Sequence, residues 1–159
     1  MSIDTYNEAS QLIKSHSHMC DFYGPCSEHL VQAAELALGL NLPETYRRFV
    51  LDYGSGSFGS TTIYGIVKEG FDNPGTPDVV WNTITTRRDV EMPPNYIIIY
   101  SVGDGEVFCL SVETPEVSPL IAYTPGLPIV LQSKEVISND FSDFLLRQVQ
   151  RNIAKQSHR

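Results

Sequence analysis

Residues 36–59, LALGLNLPETYRRFVLDYGSGSFG, read as the end of one helix, a short break, a second helix and a glycine-dense turn into extended chain. That order settles how the glycines are read. Gly54, Gly56 and Gly59 reproduce the G-x-G-x-x-G spacing of a dinucleotide-binding turn, in which backbone amides and a helix N-terminus receive a pyrophosphate. Such a fingerprint needs a strand before it and a helix after it. Here the context is inverted: Tyr46, Phe49, Val50 and Tyr53 recur at helical spacing before the turn, and the β-branched Thr61, Thr62 and Ile63 follow it. The glycines are expected to end a helix, where positive φ is tolerated without a Cβ, and to let the chain reverse into a sheet.

At 159 residues the chain has the size of one domain, large enough to bury a core without disulfides or metal. No duplicated segment or linker-like run marks a second. Eleven Lys+Arg against 19 Asp+Glu leave a formal net charge of -8. Such a field opposes a phosphate backbone, so no direct contact with nucleic acid is expected, and the Arg87–Arg88 pair does not make a basic patch. The acidity suits a partner with a basic surface and serves ordinary solubility equally well. Cys20, Cys26 and Cys109 form no disulfide framework, which fits a reducing interior. With no signal-like segment and no apolar run of membrane length, the expected location is cytoplasmic, away from the membrane.

Along the chain, residues 5–14 suit a short first helix with Tyr6, Ala9, Leu12 and Ile13 on one side. A second helix is expected from Ser27, its cap, to Gly39, with an apolar stripe of Leu30, Ala33, Ala34, Ala37 and Leu38. Leu42 and Pro43 open the third, with Pro43 at its first position. Residues 61–67 suit a strand and 71–78 are turn-rich. Residues 79–90 fit either element, since Trp81 and Ile84 have helical spacing while Val79, Trp81 and Thr83 alternate. Strands at 96–102 and 106–112 flank Gly103, Asp104 and Gly105 as a hairpin, and a further extended pair at 120–123 and 129–131 surrounds TPGLP. In the last helix, capped by Asp140, Phe141, Leu145, Val149 and Ile153 recur every fourth residue. Arg147, Arg151, Lys155 and Arg159 recur nearly opposite, as a solvated face or a basic ridge for a partner. The sum is an α+β domain with a mainly antiparallel sheet covered by helices from both ends of the chain.

No chemistry is convincingly encoded. His16, His18, Cys20, Cys26 and His29 have the composition of a metal site without the paired spacing of one. A G-x-S-x-G elbow is absent, and neither Cys109 nor a serine has an ordered histidine base in view. Asp104 and Glu106 read as turn carboxylates. No catalytic residue, metal or cofactor is expected, and protein recognition is the better fit.

Three stretches together resemble the SUKH superfamily, the bacterial immunity proteins and fungal cell-wall assembly regulators. They are EHLVQAAELALGLNLPETYRRFVLDYGSGSFG, with Leu42–Pro43, Tyr46, Phe49, Val50 and Gly54; YIIIYSVGDGEVFCLSV, with its Gly-Asp-Gly turn; and NDFSDFLLRQV, with Phe141, Ser142, Phe144 and Leu145. The resemblance runs from about Glu28 to Gln150 of a single domain. It implies an immunity protein that binds a cognate toxin domain, often a nuclease, and neutralises it by occlusion. The same fold also serves as a non-enzymatic regulatory or scaffolding module. The expected contact residues are Asp72, Asp78 and Trp81 of the acidic, aromatic 71–81 segment, with Asp104 and Glu106 of the hairpin. Removing Asp72, Asp78 and Asp104 should then weaken binding and its salt dependence with little effect on stability.

Overall fold

The fold is taken from a computed structural model that describes residues 2–68, 70–114 and 117–157. The first helix, α1 (Ser2–Ser15), is followed by a 3-10 turn and the short strand β1 (Cys20–Phe22); α2 (Glu28–Leu38) and α3 (Glu44–Tyr53) come next. Strands β2 (Gly56–Phe58) and β3 (Thr61–Ile63) complete an antiparallel three-stranded sheet in the order β1-β2-β3. Helix α4 (Val79–Asp89) leads to β4 (Tyr96–Ser101), β5 (Val107–Ser111), β6 (Leu120–Tyr123) and β7 (Val136–Ser138), an antiparallel sheet in chain order. Helix α5 (Phe141–Ser157) closes the chain. This is the α+β architecture the sequence implies.

The helices begin and end where local chemistry says they should. Ser27 accepts from the Leu30 amide at 3.1 Å, and Gly39 closes α2 in the left-handed conformation, φ 74°. The buried stripe of α2 is Val31, Ala34 and Leu38, whereas Ala37, included in the expected stripe, faces solvent. The buried positions, spaced three and four residues apart, lie on a face turned by about one residue from the expected stripe. Pro43 precedes α3 as its cap rather than sitting inside it, in an extended conformation with φ -58° and ψ 147°. Asp140 caps α5 as expected, accepting from the Asp143 amide at 2.9 Å.

The main core lies between the four-stranded sheet and the helices. Tyr46, Phe49 and Phe141 form its aromatic centre, with Phe141 edge-on to Tyr46 at 5.1 Å between ring centroids. Ile97, Ile99, Leu110 and Leu120 supply the sheet's contribution, and Phe144, Leu145 and Val149 that of α5. A smaller cluster of Met92, Ile98, Cys109 and Tyr123 covers the other face of the sheet, as the two-residue period of a strand requires. Helices α1 and α5 run parallel: Ser2 bonds to Asp140 at their starts, and His18 meets the Gln156 side-chain amide at their ends. Tyr6, Ala9 and Ile13 of α1 are buried in the main core, so this first helix is an integral layer.

Two expected strands change. The segment 129–131 is a single 3-10 turn, and β7 supplies the partner of β6 instead. Gln132 is the reason: its side-chain oxygen accepts from the Thr124 amide at 2.9 Å, and its amide donates to the carbonyls of Thr124 and Leu127. A side chain thus satisfies backbone groups that a paired strand would otherwise have taken. The other change is β3, which stops at Ile63 because the chain then crosses older backbone. A Cβ on Gly65 would stand 1.9 Å from the Gly54 carbonyl oxygen.

Candidate functional site

The crossing at Gly54 and Gly65 builds one wall of a cleft. Ser55 between the glycine turns is fully buried, donates to the Pro77 carbonyl at 2.5 Å and accepts from the Gly65 amide at 3.1 Å. Gly65 in turn donates to Pro77 and accepts from Val79, a short parallel bridge that ties the 64–78 loop to the start of α4. The glycine-serine run therefore serves backbone packing, which accounts for its resemblance to a phosphate loop without a helix to follow it.

Asp78 is the second organiser of this wall. Its Oδ1 accepts from the amides of Val80 and Trp81, at 2.8 and 3.0 Å, and its Oδ2 accepts from Asn73 Nδ2 at 2.6 Å. An N-cap carboxylate of this kind resolves the 79–90 ambiguity in favour of helix, because two otherwise unpaired amides at the helix start are satisfied. Asp78 is also fully buried. It does not stand with the exposed loop carboxylates, and the expectation that its removal leaves stability untouched is corrected: the carboxylate caps a helix and holds a loop. Asn82 adds to the same network, donating to the carbonyls of Thr76 and Asp78.

The opposite wall comes from the strands. Tyr64, just beyond β3, donates its amide to Ile99 of β4 at 2.8 Å and joins the two sheets. A bulge between Ile98 and Tyr100 inserts Ile99, so that Tyr100 pairs with Phe108. The insertion turns Tyr100 to the face that carries Ile97 and Leu110, where it stacks on Phe108 at 5.2 Å and meets Phe144 edge-on at 5.6 Å. The ring is held firmly while part of it stays accessible.

Between the walls is a cleft of about 460 Å³ lined by Ser60, Thr62, Tyr64, Gly75, Thr76, Pro77, Trp81, Asn82, Tyr100 and Ser101. It contains three aromatic residues and several hydroxyls, with no charged side chain in its lining. Trp81, singled out from the sequence, sits here on the first turn of α4. Asp72 is exposed on the loop whose far end, 75–77, lines the cleft. Asp104 is exposed at the hairpin tip, where it accepts from the Glu106 amide at 3.0 Å and fixes the turn. Glu106 lies opposite Val102, one pleat beyond the Tyr100–Phe108 pair and on the same face. Trp81 thus lines the cleft with residues 75–77 and with Tyr100 and Ser101 at the base of the hairpin, whereas Asp72, Asp104 and Glu106 are not part of its lining. Sequence reasoning missed Tyr64 and Tyr100, and the only signal for them was exposed-strand aromaticity beside a turn.

Chemistry elsewhere is sparse. Cys109 is fully buried, and burial pushes its thiol up, away from nucleophilic use. No group of three or more His, Cys, Asp or Glu side chains able to hold a metal occurs among the described residues. On α5, Arg147 is engaged with the Ile137 carbonyl at 2.9 Å, while Arg151 and Lys155 are exposed; Arg159 and His158 lie outside the described residues. No described helix is long and apolar enough to cross a membrane.

The cleft is open and carries no charged side chain in its lining, features consistent with a non-catalytic interaction domain. No curated protein matches the chain. A family model described as SMI1-KNR4 cell-wall matches residues 28–145, from the first residue of α2 into α5, and so spans both walls of the cleft. By that match the chain belongs to the SMI1-KNR4 (SUKH) superfamily of protein-interaction domains.

Proposed function

We propose that this protein is an immunity protein that binds a cognate toxin domain in the cytoplasm and blocks it by occlusion. The supporting observation is the open cleft lined by Tyr64, Trp81 and Tyr100, carried on a chain of net charge -8. A rigid surface needs no costly ordering when the partner arrives. Its charge accelerates encounter with a basic surface such as a nuclease groove, which must itself attract phosphates. Asp72, Trp81, Asp104 and Glu106 form the contact set, Trp81 as the apolar anchor and the carboxylates around it. No step requires chemistry by this protein.

The test is co-expression with a toxin domain encoded beside it, in catalytically dead form for isolation and in active form for protection. A one-to-one complex together with restored growth supports immunity. Growth arrest despite abundant folded protein would overturn it. The cell-wall description of the matching family favours a second reading, a regulatory or scaffolding module; that reading expects several host partners and no protection from any neighbouring toxin.

A further inference from the structure

We infer that the cleft is a receptor for a basic side chain, an arginine above all, presented by the protein partner. The inference rests on the protein-binding reading above and deepens it. Tyr64, Trp81 and Tyr100 all line the cleft, and among the described residues none of their polar tips has a hydrogen-bond partner within the protein. The three rings are half-buried, with the Tyr100 ring packed on Phe108, and what they expose in the cleft together with their free polar tips offers two kinds of contact to a guanidinium, which stacks on aromatic surface and carries five donors in one plane. Acceptors are at hand: Asn82 uses its amide nitrogen on Thr76 and Asp78 and keeps Oδ1 free, and Ser101 and Tyr100 add hydroxyls.

Charge selects the cation over a neutral occupant. No cation lines the cleft, whereas Glu106 stands on the same hairpin face as Tyr100, and Asp72 and Asp104 lie on the two segments that end at its margins. The carboxylates are outside the lining, so a bound guanidinium lies against rings and neutral acceptors and draws on the acidic margin through space. Such an arrangement avoids a fully desolvated ion pair. The volume, about 460 Å³, exceeds one side chain and leaves room for the residues flanking it.

Trp81 is the single tryptophan of the chain, so its fluorescence reports on the cleft directly. The probe is acetyl-Gly-Arg-Gly-amide, with the isosteric citrulline peptide as the neutral control. Expected is a saturable change with the arginine peptide that weakens at high salt and is at least about tenfold weaker in affinity with citrulline. Glu106→Gln, a surface change that should not disturb folding, is expected to reduce arginine-peptide affinity about twofold to fivefold. No saturable response, or equal affinity for the two peptides, would overturn the inference. The toxin reading is judged separately by protection of growth, which the peptide measurement does not touch.

Discussion

The two walls of the cleft reach rigidity by different means. The wall made by residues 54–78 and the start of α4 buries Ile63, Ile66, Val79 and Val80 in the main core, but its loop is tied down by buried polar groups: Ser55 on Pro77 and Gly65, Asp78 on three donors, Asn82 on two carbonyls. The β4–β5 wall is fixed by an antiparallel ladder bulged at Ile99, by buried Ile97, Ile99 and Leu110, and by the stacked pair Tyr100 and Phe108. Buried polar groups are specific and fail abruptly, because removing one partner strands the others without water. An apolar wall yields in proportion to the volume removed.

The comparison breaks most readily at the backbone crossing. Gly65→Ala forces a Cβ against the Gly54 carbonyl, where nothing flexible can give way, and is expected to cost more than about 3 kcal/mol and to yield little folded protein. A variant of near-normal melting temperature would show that the crossing relaxes easily. On the apolar side, Leu110→Ala should cost about 3 kcal/mol by denaturant unfolding while keeping the cleft's shape. Asp78→Ala follows at about 2 kcal/mol, from the lost cap and the stranded Asn73 amide. Hydrogen exchange distinguishes these two: Asp78→Ala should expose the amides of Val80 and Trp81 selectively, and uniform loosening would mean that the polar network is not local. Asp104→Ala loses only an exposed turn contact and should change stability by less than about 0.5 kcal/mol. A larger loss would make the hairpin tip part of the framework.

Much of this organisation was legible from local pattern. Ser27, Gly39, Gly54 and Asp140 act at the helix ends where their chemistry places them, and the Gly103–Asp104–Gly105 turn joins the hairpin. Asp78 shows the limit of such reading. The sequence pattern left residues 79–90 undecided and placed Asp78 among the contact carboxylates; its burial and its bonds to the Val80 and Trp81 amides make it the cap of a helix instead. The 129–131 segment has strand-forming residues, but Gln132 took up the neighbouring backbone groups and moved the pairing to β7.

By itself the sequence determined the α+β class, the helix ends and the hairpin, because caps, glycine conformations and side-chain periodicity act between residues a few positions apart. Only the tertiary structure decided the cleft. Tyr64, Trp81 and Tyr100 are brought together by a one-residue bulge, a glycine crossing and a buried aspartate, and each depends on a partner remote in the chain or on burial that no local pattern encodes.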